Sequence, residues 1–472
     1  ALAAHRVEVD AIADSAEAPN FANTIEAMEV AGEDLDKVLS VFFSVAGAES
    51  NPAREELQRA FSPKLAAHSA EISANKALFG RIKTIWDARD TLDLSEEQQR
   101  VLMLTHRGFV RGGAALEGDA DARMKEIKGR LAVLGTEFTQ NLLADEREWF
   151  MPLAEDDLEG LPGFAVDAAR AAGEEKGAEG PVVTLSRSII VPFLQFSPRR
   201  DLREKAFAAW EARGANGGET DNRAIAGEIL ALREERAKLL GYASFADYKL
   251  ETEMAKTPAA VRGLLMDVWA PAKARAEADA AVLTEMMHAD GINGDLAPWD
   301  WRYYAEKRRK AEHDLDEAAL KPYLQLDRMI EASFACATKL FGLAFNELDV
   351  PLYHEDCRAW EVTRGGDHVA VFIGDYFARG GKRSGAWCSA MRGQAKFPEV
   401  QGPVVINVCN FAKGDPALLS YDDARTLFHE FGHALHQMLS NVTYESVSGT
   451  SVARDFVELP SQLYEHWLEV PE

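Results

Sequence analysis

From residue 1 to about 150, apolar positions return three and four apart with few prolines between them, the period of helices packed on one another. Residues 124–143 show it well. Met124, Ile127, Leu131, Leu134, Phe138 and Leu142 form one stripe, with Lys125, Glu126, Lys128 and Arg130 away from it. Residues 155–181 are rich in Gly, Ala and acids, which predicts loops around a short helix and places an expected lobe boundary there. Residues 181–196 (PVVTLSRSIIVPFLQF) read as β-rich, and helices resume near Arg199. A long helical tract then runs to about Phe345, broken near Thr257-Pro258 and at 291–298.

Beyond that point the period changes. Residues 350–378 alternate around Gly365-Gly366, which predicts a β-hairpin, and residues 402–410 (GPVVINVCN) add a strand. The expected fold is mainly α: a predominantly helical region over 1–345, then a region over 346–472 in which a small sheet precedes two last helices.

Composition narrows the partners. The 472 residues carry 52 Lys plus Arg against 77 Asp plus Glu, a formal net charge of −25, which repels phosphate backbones and anionic lipid heads. No nucleic acid or membrane partner is expected; peptides, or ligands held through a cation, fit better. The weakly polar run LSVFFSVAGA (39–48) is far short of the roughly 20 residues a bilayer span needs. No basic start leads into an apolar stretch, so no signal peptide is expected. Cys336, Cys357, Cys388 and Cys409 form no CxxC pair, so they read as reduced core residues of a cytoplasmic protein.

The chemistry concentrates in residues 421–439 (YDDARTLFHEFGHALHQML), an amphipathic helix whose apolar side is Leu427, Phe428, Phe431, Leu435, Met438 and Leu439. Ser420 and Asp423 make an S-x-x-D capping pair at its start. Within it stands HEFGH. At about 100° per residue, His429 and His433 differ by only about 40° and one turn of rise, so both imidazoles reach one ion. Glu430 lies beside them, placed to touch a water at the ion without being a ligand.

A catalytic zinc site takes a third protein ligand and leaves one position open. Downstream candidates are Glu445, Asp455, Glu458, Glu465 and His466. Residues 451–467 predict a second helix kinked by Pro460, with Asp455 and Glu458 on one face and Phe456, Leu459 and Leu463 on the apolar one. Spacing favours Asp455 or Glu458 over the frayed end without choosing between them. His436 reads as a packing or outer residue. The loop 379–385 (RGGKRSG) fails the phosphate-loop pattern, because Arg383 takes the Ser/Thr place, and is expected to be a flexible basic loop beside the active cleft.

On these residues the chain resembles the thimet oligopeptidase family of zinc peptidases, nearest its bacterial peptidyl-dipeptidases. The resemblance is carried by LFHEFGHALHQML (427–439) and SGTSVARDFVELPSQLYEHW (448–467). FADYKLETEMAKTP (245–258), PWDWRYYAEKRRKAEHDLDEAALKPY (298–323), INVCNFAKG (406–414) and NFANTIEAME near the start support it. It implies that His429, His433 and Glu458 bind one Zn2+, that Glu430 is the general base, and, from position alone, that Asp455 backs the ligands. It also implies two helical lobes around a deep channel that admits short unfolded peptides and releases C-terminal dipeptides; an internally cutting oligopeptidase is the alternative. Family members continue well past the zinc-binding helices. The segment beyond Glu472, with the family's substrate-holding Tyr and His side chains, is therefore expected elsewhere, as further chain or a separate polypeptide partner, and this chain alone could be an inactive zinc-binding helical module.

Overall fold

The computed structural model describes residues 1–313, 320–379 and 381–470. Residues 314–319 of the expected helical tract, Gly380 of the basic loop and the last two residues lie outside these. The chain divides into two compact units: Ala1–Asp121 with Thr252–Met254 and Asp316–Glu472, and Ala122–Glu251 with Ala255–Leu315. Among the described residues no helix is long and apolar enough to cross a membrane.

In the second unit, helices Arg187–Phe196, Arg200–Glu211, Arg223–Leu239, Pro258–Ala289 and Pro298–His313 accompany a short antiparallel ribbon. Its strands are β1 (Phe150–Pro152) and β2 (Val182–Thr184). The β-rich expectation for 181–196 therefore holds only for its first residues. The run SIIVPFLQF is a helix with Ile190, Phe193 and Leu194 fully buried, spaced at three and four. A short apolar run satisfies strand and helix alike, and here packing against Met151, Val183 and Leu202 selects the helix. The PWDW segment is also explained, because Asp300 is buried between two cations. Arg203 Nη2 donates to its Oδ1 at 2.8 Å and Arg200 Nη2 to its Oδ2 at 2.8 Å.

The first unit carries the chemistry. A mixed sheet runs in the order β3 (Leu343–Leu348), β4 (Arg358–Arg364), β5 (Asp367–Phe377), β7 (Val404–Phe411), β6 (Trp387–Arg392). Only β5 and β7 are parallel. The hairpin β4–β5 turns at Gly365 and Gly366, both at positive φ, as the Gly-Gly pair predicts. The sheet starts earlier than expected: helix Leu326–Phe341 ends at Gly342 in the left-handed conformation, and Leu343 opens β3, whereas 350–357 form no strand. β6 was not foreseen, since five of its six residues are half-buried and show no alternation.

β7 is apolar on both faces because both are covered. Val405, Cys409 and Phe411 pack with Phe428, Phe431 and Leu435 of the last long helix, while Ile406 and Val408 pack with Ala48, Ala359 and Ile373. This lays the HExxH helix flat on the sheet.

Candidate metal centre and active site

The helix Tyr421–Met438, here the histidine helix, opens with the reciprocal cap that the sequence predicts. The Ser420 hydroxyl accepts from Asp423 N at 3.0 Å, and the Asp423 carboxylate accepts from Ser420 N at 3.0 Å. Its apolar side is locked to the sheet, and the opposite edge presents His429 and His433 with ring centroids 4.9 Å apart.

The chain returns through an irregular segment to the helix Glu458–Glu465, the glutamate helix. That segment is pinned by two N-terminal glutamates: Glu97, which no motif revealed, and Glu26 of the NFANTIEAME run. The Glu97 carboxylate accepts from Thr443 Oγ1 at 3.0 Å and Tyr444 N at 2.9 Å, and Tyr444 Oη donates to Glu26 at 2.6 Å. The predicted second helix is thus shorter than expected, and 454–457 form turns. Pro460 sits in the first turn and causes no kink, since its missing N–H has no partner to lose there. The expected apolar face is inverted too: Leu459 and Leu463 are exposed, whereas Ser461 and Tyr464 are buried against the histidine helix.

Close approach of the two helices depends on Gly432. A Cβ there would lie 2.7 Å from Ser461 Cα, 2.9 Å from Tyr464 Cβ and 3.0 Å from Pro460 O. A glycine in a helix interior normally costs stability, so its presence marks a contact, a signal legible in HEFGH.

This approach brings Glu458 Oε2 to 3.2 Å from His429 Nε2 and 3.1 Å from His433 Nε2. The three donor atoms lie within 4.8 Å of one another, and among the described residues no other such cluster occurs. Spacing left Asp455 open as an alternative ligand, but it is not part of this cluster; its Oδ1 accepts from Met254 N at 2.9 Å. Glu465, set aside as part of the frayed end, stands behind the site. Its Oε1 lies 2.6 Å from His429 Nδ1, and Arg425 Nε approaches its other oxygen at 3.3 Å. Ser461 Oγ lies within donating distance of Glu458 Oε2, at 3.0 Å. His436 packs edge-on to Phe456, as a packing residue would.

Glu430 is buried beside the pair, and its Oε2 has no hydrogen-bond partner among the described residues. Burial pushes its carboxyl up to about 7; the nearby His429 opposes this and Glu458 adds to it. Burial likewise lowers His433, which favours the neutral imidazole that a metal needs. Two imidazole nitrogens and a carboxylate oxygen are the donor set zinc takes, and the half-exposed Glu458 leaves the site open on one side. The residues fit the metal.

Two cations of the basic loop are drawn to the buried Asp375. Lys382 is fully buried, donating to Asp375 Oδ1 at 2.8 Å and Phe377 O at 2.7 Å, and Arg379 holds both Asp375 oxygens at 2.7 Å. All four cysteines are free thiols, as expected.

The sequence profile described as peptidase family M3 matches residues 193–472, more than half of the chain. The chain belongs to peptidase family M3. Within that family it is 40% identical to the dipeptidyl carboxypeptidase of Salmonella typhimurium, over 99% of this chain and 70% of that protein. Its identity to the Escherichia coli dipeptidyl carboxypeptidase is 38%, with the same coverage. Oligopeptidase A of Salmonella typhimurium is 31% identical over all of this chain and 71% of that relative.

Proposed function

We propose that this M3 peptidase is a zinc enzyme that hydrolyses short unfolded peptides and releases their C-terminal dipeptides. The observation that carries the reading is the convergence of His429, His433 and Glu458 beside a buried Glu430 with an unpartnered oxygen. Support for the dipeptide product comes from the relatives named dipeptidyl carboxypeptidase. The four free thiols fit a cytoplasmic protein.

Zn2+ bound by His429, His433 and Glu458 supplies a Lewis acid for the scissile carbonyl and brings the pKa of water from 15.7 toward about 7. The protein's own residues do the rest. Glu465 accepts the His429 Nδ1 proton, which fixes the ring and leaves Nε2 free to bind. Glu430 takes a proton from the attacking water as its oxygen adds to the carbonyl carbon, then delivers that proton to the amine nitrogen as the C–N bond breaks.

The test is Glu430→Gln. Zinc content by elemental analysis stays near one ion per chain, while kcat falls by about 10²- to 10⁴-fold; hydrolysis near the wild-type rate would end the assignment. Internal cutting is the second reading, favoured by the oligopeptidase A relative. A peptide with an amidated C-terminus separates the two, since only the dipeptide-releasing enzyme loses most of its activity on it. Zinc binding without hydrolysis by these 472 residues alone would identify a metal-binding module that needs further chain.

A further inference from the structure

The chemistry above uses no residue of FADYKLETEMAKTP (245–258). Its middle residues, Thr252–Met254, belong to the first unit, although the chain on either side of them belongs to the second. They follow the helix Phe245–Leu250 and precede the helix Pro258–Ala289, whose start is capped by Thr257 Oγ1 accepting from Ala260 N at 3.2 Å. Just before that cap Lys256 stands at φ +62°, the one non-glycine at positive φ among the described residues. Left-handed backbone is unfavourable for a residue with a β-carbon, so it persists where the surroundings dictate the path of the chain.

The segment is held by a two-point clasp. Glu253 Oε2 accepts from Arg454 N at 2.9 Å, and Asp455 Oδ1 accepts from Met254 N at 2.9 Å. Each pair of adjacent residues gives one carboxylate and one amide, so the contact fixes direction as well as distance. Bonds to an ionised acceptor are the stronger kind. Glu253 is half-buried, forms no ion pair among the described residues, and has its other oxygen met by Thr252 Oγ1 at 3.2 Å.

Arg454 stands four residues before Glu458, and the turns between them run on into the glutamate helix. Phe456 N donates to Ala453 O and Leu459 N to Phe456 O, both at 2.9 Å, and Val457 is helical in φ and ψ. The Arg454 amide is therefore one of the first donors of this run, the kind that an N-cap oxygen meets, and Glu253 meets it from a distant part of the chain. The far side of the glutamate helix is fixed by packing: Ser461 and Tyr464 are buried, and Tyr464 Oη donates to Ser333 O at 2.7 Å. At its start Leu459 is 54% exposed and Phe456 meets the His436 ring edge-on, so less packing holds the end that carries Glu458. We propose that Glu253 is a positioning residue for the metal site, which by holding the Arg454 amide sets the approach of Glu458 to His429 and His433. This rests on the zinc peptidase reading. Ligand distances tolerate only about 0.2 Å, so a turn that swings further loosens the third ligand.

The test uses the complete encoded protein. Chelator competition gives zinc affinity, and the visible bands of the Co2+-substituted protein give the coordination geometry. In Glu253→Ala zinc affinity falls by about 10- to 100-fold and the Co2+ bands shift. Glu253→Gln, whose amide oxygen still accepts, recovers most of the affinity and the wild-type bands. Asp145→Ala, which frees the Gly214 amide from a carboxylate in the second unit, changes neither. A residue that only stabilised the fold would lower the denaturant midpoint and leave affinity and bands at wild-type values; that result in Glu253→Ala overturns the assignment and leaves the zinc reading standing. So does an equal loss in Asp145→Ala, or a Gln variant as weak as the Ala one. If Glu253→Ala does not fold, Glu253→Asp, one methylene shorter, takes its place: a partial loss of affinity supports the clasp, and wild-type affinity overturns it. A wild type that binds no zinc overturns the zinc reading itself, and Glu253's role with it.

Discussion

Replacing Gly432 with Ala tests how the proposed metal site is assembled. The new Cβ would stand 2.7 Å from Ser461 Cα and 2.9 Å from Tyr464 Cβ, where carbon atoms settle at about 3.5 to 4.0 Å. The glutamate helix must retreat by roughly 1 Å to restore contact. On stability, better helix propensity gives back about 1 kcal/mol and overpacking costs about 1 to 3, so the net loss is about 0 to 2 kcal/mol. On metal binding the effect is larger. Ligand distances tolerate only about 0.2 Å, and Glu458 rides on the helix that moves. Zinc affinity should fall by more than about tenfold while the chain stays folded. Competition against a chromogenic chelator gives the affinity, and denaturant titration with and without EDTA gives the stability. Wild-type zinc affinity together with a gain of about 1 kcal/mol, the behaviour of an exposed helical glycine, would refute the close-approach argument.

Three further outcomes follow from the same contacts. Glu465→Ala removes the carboxylate behind His429 and should weaken zinc binding by about 10- to 100-fold, read by the same competition titration; Glu465→Gln, which can still accept from Nδ1, should lose less. Asp375→Asn leaves Lys382 buried beside Arg379 without a counter-charge and should cost about 3 to 5 kcal/mol by denaturant unfolding, unless Lys382 is also replaced by Met. The third is a pH dependence. Burial acts to raise the Asp375 carboxyl, but hydrogen bonds from Arg379 and Lys382 outweigh it and hold the group below its ordinary value. A depressed folded value contributes stability above the unfolded pKa of about 3.9, lost as pH falls through the folded value. The stability gap between wild type and Asp375→Asn should therefore narrow between pH 7 and pH 3.

The sequence by itself determined the elements whose signals are local. The capping pair Ser420 and Asp423, the 3.6 period of 421–439 and the one-turn spacing of His429 and His433 need only neighbours a few residues away, and all three stand in the structure. The hairpin around Gly365-Gly366 is legible for the same reason, because left-handed φ there selects glycine. Tertiary structure decided what depends on residues distant in the chain. Whether SIIVPFLQF became strand or helix was set by the pocket it fills, since a short apolar run buries equally well either way. Between Asp455 and Glu458, helical spacing was neutral. Gly432 let the glutamate helix come close enough for Glu458 to meet both imidazoles, and the turns before it sent Asp455 to the Met254 amide. Nothing local marks Glu465 as the partner of His429 Nδ1 or Glu97 as the anchor of the segment after the histidine helix. Their placement comes from how the helices pack, and packing distance is not written in residue spacing.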